Sequence, residues 1–277
     1  MHTRVIHGVT VPSLIYGTAW KEEDTARLVR LALAAGFRGI DTANQRKHYH
    51  EAGVGEALAD AGIARSALYL QSKFTYARGQ DHRLPYDPDA DFATQVRQSC
   101  ASSLEHLATP WLDGYLLHGP WNPQGLAPAD REVWRAMEEL HAEGRVRLIG
   151  LSNVSYTQLV AFHTEARVKP AIVQNRCYAR DGWDRQVRGF CREHGIGYQG
   201  FSLLTANPRE LAQPAVRKIA ARLGRTVPEV VFRALLALDI LVLTGTSSVT
   251  HMRQDLAAGA LELTPDEVRA IENIARP

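Results

Sequence analysis

Short apolar stretches alternate with helical ones along almost the whole chain, and that alternation leaves few architectures open. Leu14–Gly17 reads as a strand, Thr25–Ala35 has helical spacing, and Gly36 stands where that helix would end. Phe37–Asp41 is the next strand and Glu51–Ala61 the next helix, with Gly62 after it. Leu68–Gln71 is a third strand, after which Phe92, Val96, Cys100, Leu104 and Leu107 share one helical face. Tyr115–Leu117 is a fourth strand, and Val133, Met137 and Leu140 mark a fourth helix. The second half repeats the plan, with strands at Val146–Leu151, Ala171–Val173, Ile196–Phe201 and Ile240–Leu243. Helices follow from Ser155, over Arg185–His194, in two pieces from Pro214 and Thr226, and from Thr264. Thr226-Val227-Pro228-Glu229 has the form of a capping box, and Thr264-Pro265-Asp266-Glu267 caps the last helix with proline at its first position.

An unbroken run of strand–helix units predicts one (β/α)8 TIM barrel over residues 1–277. An open doubly wound sheet would need a GxGxxG turn after the first strand, and Tyr16-Gly17-Thr18-Ala19-Trp20 does not supply one. Gly8 lies between two short β-prone stretches, which predicts an N-terminal β-hairpin closing the bottom of the barrel. The net charge of +2 gives no reason to expect nucleic acid or an acidic membrane as partner. No stretch approaches the roughly 20 apolar residues of a membrane span, and the first residues lack a signal-peptide pattern. Cys100, Cys177 and Cys191 match no metal or redox spacing and read as buried free thiols. Together these point to a cytoplasmic protein, a monomer or weak dimer, with no metal.

In such barrels the functional residues sit just beyond the C-terminal ends of the strands. Reading only those positions collects Gly17, Thr18 and Trp20, then Asp41 with Tyr49 in the following loop, then Lys73, then His118 and Trp121. Ser152, Asn153, Gln174, Phe201, Ser202 and the run Gly245-Thr246-Ser247-Ser248 complete the rim. An acid, a phenol, an amine and an imidazole therefore converge. Carbonyl reduction explains the set. Hydride addition makes an alkoxide, so a proton must reach the oxygen. Tyr49 could donate it, and a nearby ammonium from Lys73 would make the phenol a stronger acid than its usual pKa of about 10. Asp41 would hold Lys73 in place and charged, and His118 would orient the carbonyl. Trp20 and Trp121 would flank the pocket and favour an apolar or aromatic carbonyl substrate.

With those residues in place, the sequence resembles the aldo-keto reductase family over nearly its full length. The matching pieces are Gly36-Phe37-Arg38-Gly39-Ile40-Asp41-Thr42-Ala43 and Glu51-Ala52-Gly53-Val54-Gly55-Glu56-Ala57-Leu58. They continue with Ser72-Lys73, Leu117-His118-Gly119-Pro120, Ile149-Gly150-Leu151-Ser152-Asn153 and Val173-Gln174-Asn175. The resemblance implies a catalytic tetrad of Asp41, Tyr49, Lys73 and His118. It implies NADPH, with NADH as the alternative, extended across the barrel mouth. Ser152, Asn153 and Gln174 would bond the nicotinamide amide and the ring of Phe201 would stack on it. Gly17, Thr18, Asp41, Ser202 and Leu204 would line the rest of its path. Gly245, Thr246, Ser247, Ser248, His251, Arg253 and Gln254 would form its far end, where hydroxyls, helix N–H groups and the Arg253 fork could take a phosphate.

Three departures stand out. The loop from Asp41 to Glu51 is longer than the family's, so register counted back from Glu51 selects His48 as proton donor, whereas chemistry selects Tyr49. Position 201 is Phe where many members have Tyr. The common Pro-Lys-Ser after the last strand is replaced by Thr244-Gly245-Thr246-Ser247-Ser248, removing a lysine that often pairs with the NADPH phosphate. Two other readings of the same rim are a non-catalytic, cofactor-sensing regulatory protein and a metal-dependent hydrolase. An intact tetrad speaks against the first; the lack of a His-x-His pair and the scarcity of rim carboxylates speak against the second.

Overall fold

The computed structural model describes residues 2–275. An antiparallel hairpin comes first, β1 (Thr3–Ile6) and β2 (Val9–Pro12). Its turn residues His7 and Gly8 both have positive φ, 45° and 79°, the backbone twist that suits a two-residue hairpin. Eight parallel strands then close a barrel: β3 (Leu14–Gly17), β4 (Gly39–Asp41), β5 (Tyr69–Phe74), β6 (Leu112–Leu117), β7 (Val146–Ser152), β8 (Ile172–Arg176), β9 (Gly197–Phe201) and β10 (Ile240–Thr244). β10 pairs with both β9 and β3, which completes the ring.

Helices cover the outside: α1 (Thr25–Ala35), α2 (Glu51–Asp60), α3 (Phe92–His106), α4 (Pro128–Ala142), α5 (Tyr156–Glu165) and α6 (Arg185–Glu193). The connection before the last strand is split into α7 (Pro208–Leu211), α8 (Pro214–Leu223) and α9 (Val227–Ala237). After β10 come α10 (Val249–Ala258) and α11 (Pro265–Glu272). Local signals set these limits. Gly36 ends α1 at φ 118°, and the Thr226/Glu229 and Thr264/Glu267 pairs form reciprocal caps on α9 and α11. Gly55 lets α2 lie on the end of α3, because a Cβ there would fall on the His106 carbonyl oxygen.

Two apolar layers result. The larger lies between strands and helices, where Leu28, Val96, Val133 and Leu235 are fully or almost fully buried. The smaller fills the lower barrel with Ile15, Leu116, Leu148, Ile172 and Leu241, and the hairpin closes it from below with Ile6, Val9 and Val11. All three cysteines are buried free thiols. Among the described residues no helix is long and apolar enough to cross a membrane.

The third strand differs most from expectation. β5 runs on through Phe74, paired with Leu117, and the His118 N–H extends the ladder to the Phe74 carbonyl (2.9 Å). Lys73 therefore belongs to the strand and points from its wall, where the sequence reading had put it just beyond the strand's end. The pattern Tyr-Leu-Gln-Ser-Lys-Phe is polar on alternate positions because those side chains face a polar layer inside the upper barrel.

Candidate active site

The strand period of two puts Gln71 and Lys73 on the same inward face of β5, and Gly17, Asp41 and Gln71 are cross-strand partners in register. Lys73 is fully buried. Its ammonium donates to Asp41 Oδ1, Asp41 Oδ2 and the Thr42 carbonyl, each at 2.8 Å, so all three protons have acceptors. Asp41 Oδ1 also accepts from Gln71 (2.6 Å) and Gln174 (2.9 Å), and both amides donate to Gln199. A buried ion pair needs such company, because each lost hydration bond must be replaced. Burial nonetheless pulls the Lys73 ammonium below its ordinary pKa, against the opposing pull of Asp41.

Tyr49 is held over this pair by a turn in the loop from 42 to 50. The N–H groups of His48 and Tyr49 both donate to the Gln45 carbonyl (3.2 and 3.0 Å), and Gln45 itself is tied to the Gly79 carbonyl (2.7 Å). The Tyr49 ring centroid lies 5.2 Å from Lys73 Nζ and 5.9 Å from the His118 ring. Its hydroxyl has no hydrogen-bond partner among the described residues. Burial, and then the charge of Asp41, raise its pKa above the usual phenol value. This differs from the sequence expectation of a more acidic phenol: Asp41 offsets part of the Lys73 charge, and desolvation outweighs what is left of it. His118 is pushed down to about 3 by burial, then by Lys73 and His48, and is neutral at ordinary pH. Its Nδ1 lies 2.7 Å from Thr75 Oγ1. His48 is on the same wall, its ring 3.8 Å from that of Trp20.

A cavity of about 720 Å³ opens above these groups and runs along the rim from Tyr49 and His118 to the start of α10. Gly17, Trp20, Asp41, Ser152, Asn153 and Gln174 line the near part. Phe201, Ser202, Leu204, Gly245, Thr246, His251 and Gln254 line the remainder. Asn153 and Ser202 reach it in the left-handed region, at φ 54° and 55°. Thr18 is fully buried beneath, its hydroxyl donating to the Asp41 carbonyl (3.0 Å). Ser247, Ser248 and Arg253 do not line the cavity, and Ser248 instead caps α10 by accepting from the His251 N–H (3.4 Å). Trp121 does not line it either. Its ring packs edge-on against Tyr76 and Phe92 under the Arg78 guanidinium, because Asp130 captures its backbone N–H (2.7 Å) and turns the loop away. Trp20, 69% exposed, is left as the tryptophan at the mouth.

The pattern of the aldo/keto reductase family matches residues 13–276 of the chain. The chain belongs to the aldo/keto reductase family. It is 32% identical to an aldo-keto reductase of Mycolicibacterium paratuberculosis over 253 residues, 91% of this chain and 82% of that one. An uncharacterized oxidoreductase of Bacillus subtilis, YtbE, is 30% identical over 96% of this chain and 90% of its own length. Glyoxal reductase of the same species is 28% identical, covering 82% and 75%. Among solved structures, an aldo/keto reductase from Brucella melitensis superposes with a TM-score of 0.84 at 26% identity, over 99% of each chain.

Several cavity and floor groups of this aldo/keto reductase escaped the reading of strand ends. Gln71 and Gln199 lie one period below Lys73 and Phe201 on their strands, so the alternation of inward positions, rather than strand-end position, is the sequence signal for them. Lys21 reaches across the cavity mouth to the Gly245 carbonyl, and nothing in its neighbouring sequence announces that contact. Among the described residues, no group of three or more His, Cys, Asp or Glu side chains is placed to hold a metal ion.

Proposed function

We propose that this member of the aldo/keto reductase family is an NADPH-dependent carbonyl reductase, converting an aldehyde or ketone to the alcohol with Tyr49 as proton donor. The observation that carries the reading is a phenol and a neutral imidazole on one cavity wall, beside a buried ammonium–carboxylate pair. The relative named glyoxal reductase supports a small carbonyl substrate.

The residues present fit a nicotinamide dinucleotide. Phe201 offers a ring face beside Gln174, whose Oε1 accepts from no described residue and is left for a carboxamide N–H₂. Asn153 and Ser152 are the neighbouring polar groups. At the far end the cavity closes on the first turn of α10, whose N–H groups favour a phosphate, with His251 and Gln254 on its wall. Arg253, on the same helix but outside the cavity lining, has no carboxylate partner among the described residues and is free to turn towards a 2′-phosphate, which favours NADPH over NADH. When bound, the cofactor would supply the hydride.

The chain's own residues supply the rest. His118 Nε2 donates to the substrate oxygen and holds the carbonyl against Tyr49. The Tyr49 hydroxyl keeps its proton until negative charge builds on that oxygen, then gives it up. The fixed charge of Lys73, 5.2 Å from the ring centroid, stabilises the phenolate left behind. His118 does not compete as donor, since a neutral imidazole holds its last proton too strongly. Purified protein supplied with a simple aldehyde is expected to oxidise NADPH and form alcohol in equal amounts, with a higher kcat/KM for NADPH than for NADH and no loss after EDTA. Absence of aldehyde-dependent NADPH oxidation would remove the reading.

A further inference from the structure

We infer that Thr75 is a positioning residue for this reaction: its hydroxyl donates to His118 Nδ1 and so fixes the imidazole with its single proton on Nε2. The inference rests on the carbonyl-reductase reading for its purpose, but the tautomer it assigns is a property of the protein alone.

The argument begins with proton counting. The two atoms are 2.7 Å apart, so one of them donates to the other. A neutral imidazole has one N–H and one bare nitrogen. If Nδ1 carried the proton, the Thr75 hydroxyl would accept it and would need an acceptor for its own hydrogen. Among the described residues Thr75 Oγ1 makes no other hydrogen bond. The nearby carbonyl of Thr75 itself is already taken by the Tyr86 hydroxyl (2.6 Å) and by Gln80 (3.4 Å). The hydroxyl hydrogen therefore goes to Nδ1, and Nε2 keeps the ring proton. Burial and the Lys73 charge hold the ring neutral and keep this choice sharp.

Geometry gives the choice its consequence. Thr75 is 7% exposed and sits two residues beyond Lys73, at the point where β5 gives way to the loop. His118 begins the loop after β6, and Asn153 pins its backbone by donating to its carbonyl (2.8 Å). The residue is thus held at its backbone carbonyl and at Nδ1, with Nε2 free of protein partners among the described residues. Only the Nε2–H form can donate to a substrate carbonyl; the other tautomer would present a lone pair to the oxygen's lone pair and repel it.

The test is nitrogen-15 NMR of histidine-labelled protein, with the His118 signals assigned by their loss in His118→Gln. Wild type is expected to show a pyrrole-type Nε2 and a pyridine-type Nδ1. Thr75→Val, close in shape but without the hydroxyl, is expected to show both tautomers, and Thr75→Ser to restore the wild-type pattern. In kinetics, Thr75→Val should lower kcat/KM for an aldehyde by roughly tenfold, the size expected for one lost neutral hydrogen bond. Its NADPH dissociation constant should be unchanged. A wild-type His118 protonated on Nδ1, or a tautomer unmoved in Thr75→Val, would overturn the inference. A protein that shows the expected tautomers but reduces no aldehyde would instead overturn the carbonyl-reductase reading and leave the role of Thr75 on the ring standing.

Discussion

At the scale of single residues, the site is set by how completely each charge is satisfied. Lys73 spends its three protons on Asp41 and Thr42, so its charge acts on Tyr49 as a field at a distance. Tyr49 and His118 keep their polar ends for the cavity, and burial holds both neutral. A pH profile follows. His118 has its folded pKa depressed to about 3 from 6.5, so its neutral burial supports the fold fully above 6.5 and loses that support as pH falls towards 3. Across that window the kcat/KM for reduction is expected to show no ionisation of His118, while alcohol oxidation, which needs the phenolate, rises into alkaline pH. His48, on the same wall, is also held below its usual pKa by burial and by Lys47, so the profile is best taken in both wild type and His48→Ala. A step near 6.5 that survives His48→Ala and vanishes in His118→Asn would contradict the neutral imidazole. The four residue types could be read from the sequence, because the strands that carry or precede them are legible as short apolar runs. The upward shift of the Tyr49 phenol could not, since it depends on how deeply the folded loop buries the ring and how near it brings the Asp41 charge.

At the scale of elements, the strands and helices followed from periodicity and caps, and the loops did not. Counting back from Glu51 favoured His48, yet the turn at Gln45 takes up the extra loop residue and sets Tyr49 beside Lys73. Nothing in Asn44-Gln45-Arg46-Lys47 marks that turn, because its anchors are the carbonyls of Gly79 and of Gln45 itself. Trp121 shows the same limit: its place depends on Asp130, nine residues away, taking its backbone N–H. The helix that carries the end of the 42–50 loop is fixed by a close contact, where Gly55 of α2 meets the carbonyl of His106 in α3. Gly55→Ala is expected to push these helices apart and cost about 1–3 kcal/mol of stability. In urea this should appear as a lower midpoint with an unchanged slope. A midpoint equal to wild type would show that α2 and α3 separate freely.

At the scale of the whole molecule, the barrel divides its labour along its axis. The hairpin and the apolar lower layer close one end, a ring of amides and the Lys73–Asp41 pair fill the upper layer, and the long cavity lies over them. Eight strands bring to one rim groups separated by more than two hundred residues, from Gly17 to Gln254. The central claim is that this rim reduces a carbonyl with Tyr49 as proton donor. Its most direct measurement is the turnover number at saturating NADPH and aldehyde in wild type, Tyr49→Phe and His48→Ala. Removing the phenol oxygen is expected to lower kcat by on the order of a hundredfold or more, with NADPH affinity near wild type, as for loss of a positioned general acid. His48→Ala is expected to keep most of its turnover and act mainly on substrate KM. Full turnover in Tyr49→Phe together with an inactive His48→Ala would contradict the claim and put the imidazole in the donor's place.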